Sequence, residues 1–188
     1  VWSRVMHEYR MGERRPLTDL TAWNTDATRM PYRMHSEYLH KLFLDNDLAE
    51  GRYTAGGARV ALKDLRRPLF AVGTERDHVA PWHSVYKFHL LTDAEVTFVL
   101  ANGGHNAGIV SEPGHPGRRY RCATKGRAET YLDPQAWVDG AAYHAGSWWP
   151  EWSRWLAARS SSPVAPPAMG CAAYPAQGDA PGTYVLQA

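Results

Sequence analysis

The chain has 188 residues, with 21 Lys and Arg against 19 Asp and Glu, a formal charge of +2, and 44% hydrophobic residues, ordinary globular proportions for one or two domains with a sizeable core. So small a net charge argues against a nucleic-acid or membrane-surface binder, and no apolar run approaches the ~18 residues of a spanning helix. Two cysteines give no disulfide scaffold and no cysteine cluster for a structural metal, so a reducing, cytoplasmic setting is expected.

Val1 is not a methionine, and residues 1–11 (VWSRVMHEYRM) carry neither a signal pattern nor a helix cap. They read as the middle of a helix, with Trp2, Val5, Met6 and Tyr9 on one face, and the chain reads as the back part of something longer. Pro16 and Thr18-Asp19 break the helical pattern, and residues 20–31 are rich in Thr, Asn and Asp, which favour loops and caps. From Tyr32 to about Asp47 the helical period returns, with Tyr38, Leu39, Leu42 and Phe43 on one face, until Gly51, Gly56 and Gly57 mark a turn region.

Residues 68–73 (PLFAVG) form a short apolar run suited to a strand buried on both faces, followed by the polar loop TERDHVAP. Trp82–Leu91 reads as a helix, and residues 95–101 (EVTFVLA) as a second strand that opens into the glycine-rich loop NGGHNAG. Strand, loop, helix, strand, loop is the pattern of a parallel α/β sheet, whose sites gather at the carboxyl ends of strands. After Pro116 the chain turns basic, with Arg118, Arg119, Arg121, Lys125 and Arg127. Residues 148–158 form a tryptophan-rich amphipathic helix. From Arg159 onward five prolines exclude a helix or a central strand, and the tail is expected to run extended over the surface.

Asp77 and His105 follow the two strands, one in each loop, and are 28 residues apart, room for one helix and one strand. Both side chains can therefore reach the same sheet edge. A carboxylate bonded to one imidazole nitrogen fixes the tautomer and stabilises the imidazolium, leaving the other nitrogen to take a proton from a nucleophile. The glycines before His105 allow a tight backbone that aims it. The plainer readings are a helix-capping Asp and an exposed loop His. In α/β-hydrolases the order is nucleophile, acid, histidine, so a nucleophile belongs upstream of Asp77 on a G-x-S-x-G or G-x-C-x-G elbow. The chain contains neither. Cys122 and Cys171 both lie after His105 without elbow glycines, and read as structural or incidental thiols, although arginines near Cys122 could lower its pKa.

The strings LTAWNTDATRMPYRMHSEYLHKLFLDNDLAEGRY, PLFAVGTERDHVAPW, NGGHNAGIVSEPGHP and GDAPGTYVLQA, in that order, resemble the carboxyl-terminal half of polyhydroxyalkanoate synthases. The resemblance runs from about Leu20 to Ala188. It implies an α/β-hydrolase fold, represented here by the cap region (1–57), the last strands and helices of the parallel sheet (58–158) and an extended Pro-rich tail (159–188). Asp77 then takes the place of the triad acid, His105 that of the base, and Trp23-Asn24 with the following helix belongs to the cap. The triad cysteine, in a G-x-C-x-G-G box, lies outside this chain, so the chain alone is expected to be inactive. The implied reaction is acyl transfer from a 3-hydroxyacyl-CoA to a growing polyester chain with release of CoA, the thioester being substrate and no cofactor being required. A homo-oligomer, a cytoplasmic location and a polymer granule surface are the implied setting.

Among the remaining features, His78 reads as a loop-shaping residue, Trp82 as packing at the site's rim, and the stripe Trp148, Trp152, Trp155 as core rather than a polymer platform. The basic run reads as a solvated face rather than a site for CoA phosphates. A metal site built from Asp77, His78 and His105 lacks any histidine spacing that would support it. Two other functions stay open: an ester hydrolase or depolymerase with an upstream serine, and a non-catalytic chain that binds a granule or a synthase.

Overall fold

Six consecutive apolar or hydroxyl residues, Val96–Ala101, make a strand with no polar face, and such a strand needs cover on both sides. The computed structural model supplies it. The structure describes residues 2–12, 18–19, 29–180 and 182–183, with residues 2–5 and 7 described by their backbone. In chain order the elements are α1 (Trp2–Met11), α2 (Tyr32–Tyr38) continuing as a π-helical segment (Leu39–Leu44), β1 (Thr54–Ala55), β2 (Ala58–Arg59), a 3-10 turn (Leu62–Asp64), β3 (Leu69–Thr74), α3 (Trp82–Tyr86), α4 (Phe88–Leu91), β4 (Val96–Ala101), β5 (Arg119–Lys125), α5 (Pro134–Gly140), β6 (Ala142–Ala145) and α6 (Trp149–Ala157). Contacts divide the chain into two units: Val1–Pro68 with Lys87–Glu95 and Gly126–Tyr131, and Leu69–Tyr86 with Val96–Lys125 and Leu132–Ala188.

The second unit is built on a four-stranded sheet of order β3-β4-β5-β6. β3 and β4 are parallel, Leu69 beside Val96 and Thr74 beside Ala101. β4 and β5 are antiparallel, as are β5 and β6. The sheet is thus mixed, which corrects the expectation of a parallel sheet, and the basic stretch is a strand rather than a mere charged surface. The helix expected over Trp82–Leu91 is two short helices, α3 and α4, with Lys87 between them.

Side-chain alternation sorts the core into two faces. Phe98 points to one, where its ring meets Tyr86 edge-on at 5.2 Å and Trp137 of α5 at 5.0 Å. Asp133 caps α5 by accepting from the backbone N–H groups of Gln135 and Ala136, with Pro134 in the first turn, where its missing N–H loses nothing. Val99 and Ala101 point to the other face and pack with Tyr120 and Trp148, against which Phe70, Val72, Cys122 and Trp149 lie. Helices therefore cover both faces of β4, and all six of its residues are buried. β3, at the end of the strand order, is only half-buried over Leu69–Val72.

In the first unit, Arg33 and Lys41 flank Glu37 one helical turn away on either side, at 2.9 and 3.4 Å. Asn46, with φ of 51°, ends the helical segment in a left-handed turn. The expected turn glycines appear as Gly56-Gly57, both at positive φ, between β1 and β2. The expected apolar face of α1 is not formed at Tyr9, which is 87% exposed. The loop expected over residues 20–28, with Trp23-Asn24, lies outside the described residues. From Ser161 to Gly178 the tail is exposed and free of helix, with one isolated bridge between Cys171 and Tyr174. No described helix is long and apolar enough to cross a membrane.

Candidate active site

Because β3 and β4 run parallel and in register, their carboxyl ends lie at one sheet edge and deliver the next loops side by side. The ladder continues past the strands: Glu75 N–H donates to the Ala101 carbonyl and Arg76 N–H to that of Gly103, both at 2.9 Å. The buried Thr74 hydroxyl donates to the Gly104 carbonyl at 3.3 Å. These bonds bring Asp77 and His105 together, with Nδ1 of His105 at 2.9 Å from Oδ2 and 3.1 Å from Oδ1.

Asp77 is held from below as well. Its Oδ1 accepts the backbone N–H groups of Val79 (2.9 Å) and Ala80 (2.8 Å), an Asx-type turn. It is therefore a local backbone anchor and a histidine partner at once. The Ala80 N–H, the His105 ring and the Val79 N–H outweigh the opposing effect of desolvation and draw the carboxyl down from its ordinary 3.8 to about 2. Ionised at neutral pH, Asp77 can only accept, so Nδ1 of the neutral imidazole carries the proton and Nε2 presents a lone pair. The Asp77 side chain is 9% exposed and that of His105 45%. Among the described residues nothing hydrogen-bonds Nε2, so an incoming group can reach it.

The glycine that matters most is not one of the pair before His105. Gly103 does take a left-handed φ of 118°, but Gly108 makes the tightest approach. A Cβ there would collide with the Thr74 side chain, and one on Gly103 would meet Gly108 Cα at 2.8 Å. The histidine loop closes onto the end of β3 only because neither position carries a side chain.

The other candidates fall as follows. His78 is exposed. Trp82 is half-buried, 6.4 Å from Phe98 and 6.1 Å from Tyr86 between ring centres, so it packs at the rim. Burial, chiefly, pushes the Cys122 thiol up to about 11, with Glu151 adding to it against Arg154. Mid-strand opposite Val99, it is neither activated nor at the site edge. Cys171 is exposed in the tail. No group of three His, Cys, Asp or Glu among the described residues is arranged to hold a metal ion.

Sequence reasoning missed several residues that brace the two loops. Arg119 pairs with Glu75 at 3.0 Å, and Asn102 bridges to Gly117 and Arg119. The indoles of Trp148 and Trp149 bond the histidine loop. A buried indole N–H needs an acceptor, and that need was the available signal for Trp148.

No family model matches the chain. Curated relatives do. It is 40% identical over 185 residues to the poly(3-hydroxyalkanoate) polymerase of Methylorubrum extorquens, covering 98% of this chain and 30% of that one. It is 36% identical over 187 residues to poly(3-hydroxyalkanoate) polymerase 2 of Ectopseudomonas oleovorans, covering 99% and 33%. To a poly(3-hydroxyalkanoate) polymerase subunit of Cupriavidus necator it is 36% identical, covering 98% and 31%. Along nearly its whole length the chain belongs to the poly(3-hydroxyalkanoate) polymerase family, spanning about a third of the length of these relatives.

Proposed function

We propose that this chain is the carboxyl-terminal portion of an acyltransferase of α/β-hydrolase fold that polymerises 3-hydroxyacyl-CoA into polyester, with Asp77 and His105 as two members of a Cys-His-Asp triad. The observation that carries the reading is the 2.9 Å bond between the His105 ring and a carboxylate held near pKa 2, at the ends of adjacent parallel strands, in a relative of the polymerases.

The cycle follows from these two side chains. Nε2 of His105 takes the proton from a cysteine thiol supplied upstream of this chain, and the thiolate attacks the thioester carbonyl. The intermediate collapses with loss of CoA thiolate, which recovers the proton from the imidazolium, leaving an S-acyl cysteine. A hydroxyl, from a monomer or a chain end, then gives its proton to Nε2 as its oxygen attacks that acyl group. The new ester forms, and the departing cysteine thiolate takes the proton back. Asp77 stays ionised throughout, keeps Nε2 facing the reaction and stabilises the imidazolium. A thiol suits the first step, because cysteine and CoA are leaving groups of similar basicity. The reaction calls for no cofactor.

In the same reading, residues 1–57 are the cap, 58–158 the end of the core and 159–188 an extended surface tail. The partners are the acyl-CoA, the growing polyester with its granule surface, and a second copy of the protein. The test is incubation of the whole polypeptide carrying this chain with 3-hydroxybutyryl-CoA. Release of CoA matched by polyester supports the proposal. Release of CoA matched by free hydroxy acid makes the protein a hydrolase with the same acid and base, and no CoA release removes the enzyme reading.

A further inference from the structure

Beyond His105 the chain makes one turn, in which Gly108 N–H bonds the Gly104 carbonyl and Val110 N–H that of Asn106, each at 2.9 Å. Each of the four carbonyls from Gly108 to Ser111 is taken by a side chain. The Trp148 indole donates to Gly108 at 3.1 Å and the Trp149 indole to Ile109 at 2.9 Å. The Arg118 guanidinium donates to Val110 at 3.4 Å and the Ser147 hydroxyl to Ser111. Three of the four donors are consecutive residues leading into α6.

That segment is itself fixed. Ser147 accepts the backbone N–H of Trp149 at 3.0 Å, and Gly146 N–H bonds the Arg118 carbonyl at 2.7 Å. The Trp148 ring is buried beside Phe70 and Trp152. The two adjacent indoles stand at 84° to one another, which lets neighbouring residues reach neighbouring carbonyls. Packing alone would be met by phenylalanine. The paired N–H donors add direction, and that direction is along the histidine turn.

We infer that Ser147, Trp148 and Trp149 form a clasp that positions His105, holding the carbonyls of Ser111, Gly108 and Ile109 so that the 104–110 turn keeps the imidazole on Asp77. The inference gives the clasp residues no contact with substrate: they act through His105. It rests on the proposed role of His105 only for its effect on rate, since the hold on the turn is a property of the fold.

The experiment uses the whole polypeptide carrying this chain. Trp149→Phe keeps a half-buried ring and removes one donor, Ser147→Ala removes another, and Trp148→Phe removes the buried one. For Trp149→Phe the expected result is a fall in kcat of about 10-fold at unchanged KM, as small misplacements of a catalytic group produce. Amide exchange within residues 104–110 accelerates, and the same substitution made on His105→Ala causes no further loss. Should Trp148→Phe fail to fold, the other two variants carry the test. Unchanged exchange in the turn, or a full repeat of the rate loss on the His105→Ala background, overturns the inference. If His105→Ala retains full CoA release, the catalytic proposal fails instead, and the exchange measurement alone decides whether the clasp holds the turn.

Discussion

Two apolar stretches of this chain meet opposite fates. β4 is buried from end to end, Val96 to Ala101, because its two faces are covered by helices of its own unit. The stretch Tyr32–Leu44 carries seven apolar residues among thirteen, yet Tyr32 is 87% exposed, Met34 58%, Phe43 66% and Leu44 72%. With Tyr53, part of it lines an open groove of about 410 Å³. Hydrophobic pattern states that a segment can be buried, while cover decides whether it is. Stability of the sheet unit therefore resides in the aromatic layers around β4, and the helical stretch draws little from its own apolar residues.

The sharpest way to break that contrast is to remove one ring from each side of it. Phe98→Ala deletes the centre of the Tyr86–Phe98–Trp137 cluster and is expected to destabilise the sheet unit by about 3–5 kcal/mol, read by denaturant unfolding followed through tryptophan fluorescence. A loss near zero would mean that the cluster is not the core. Reactivity draws the same line: Cys122, against the core and with its thiol raised to about 11, is alkylated at pH 8 only on unfolding, whereas the exposed Cys171 reacts at once.

The site edge lies between these extremes and responds to acid. The native state binds the Asp77 proton more weakly than the unfolded chain does, so its contribution to stability is complete above about pH 4 and disappears as pH falls towards 2. Asp77→Asn is expected to flatten that acid branch of an unfolding-versus-pH curve, and an unaltered curve would show that the carboxylate contacts are not maintained. The smallest effect belongs to the exposed stretch. Phe43→Ser is expected to change stability by no more than about 0.5 kcal/mol, and a loss approaching that of Phe98→Ala would erase the contrast.

What could be read in advance follows the same division. β3 and β4 were legible because an uncharged apolar run between polar loops has few other uses, and the loops carrying Asp77 and His105 came with them. β5 was not, because the arginines of RRYRCATK drew notice to charge while its alternation, Tyr120 inward between Arg119 and Arg121, is a strand period. The tryptophan stripe was right at the buried Trp148 and half-buried Trp155, but Trp152 is 42% exposed, since helical spacing defines a stripe without defining how much of its width is covered. The bracing of the histidine loop depends on contacts such as Arg119 with Glu75 and Trp148 with Gly108, about 40 residues apart, which no local pattern encodes.

The proposed role of Asp77 and His105 in acyl transfer is read from CoA release from 3-hydroxybutyryl-CoA by the whole polypeptide carrying His105→Ala. The expected result is a fall of about 10²–10⁴-fold with substrate binding retained, the contribution of a positioned general base. An unchanged rate would contradict it.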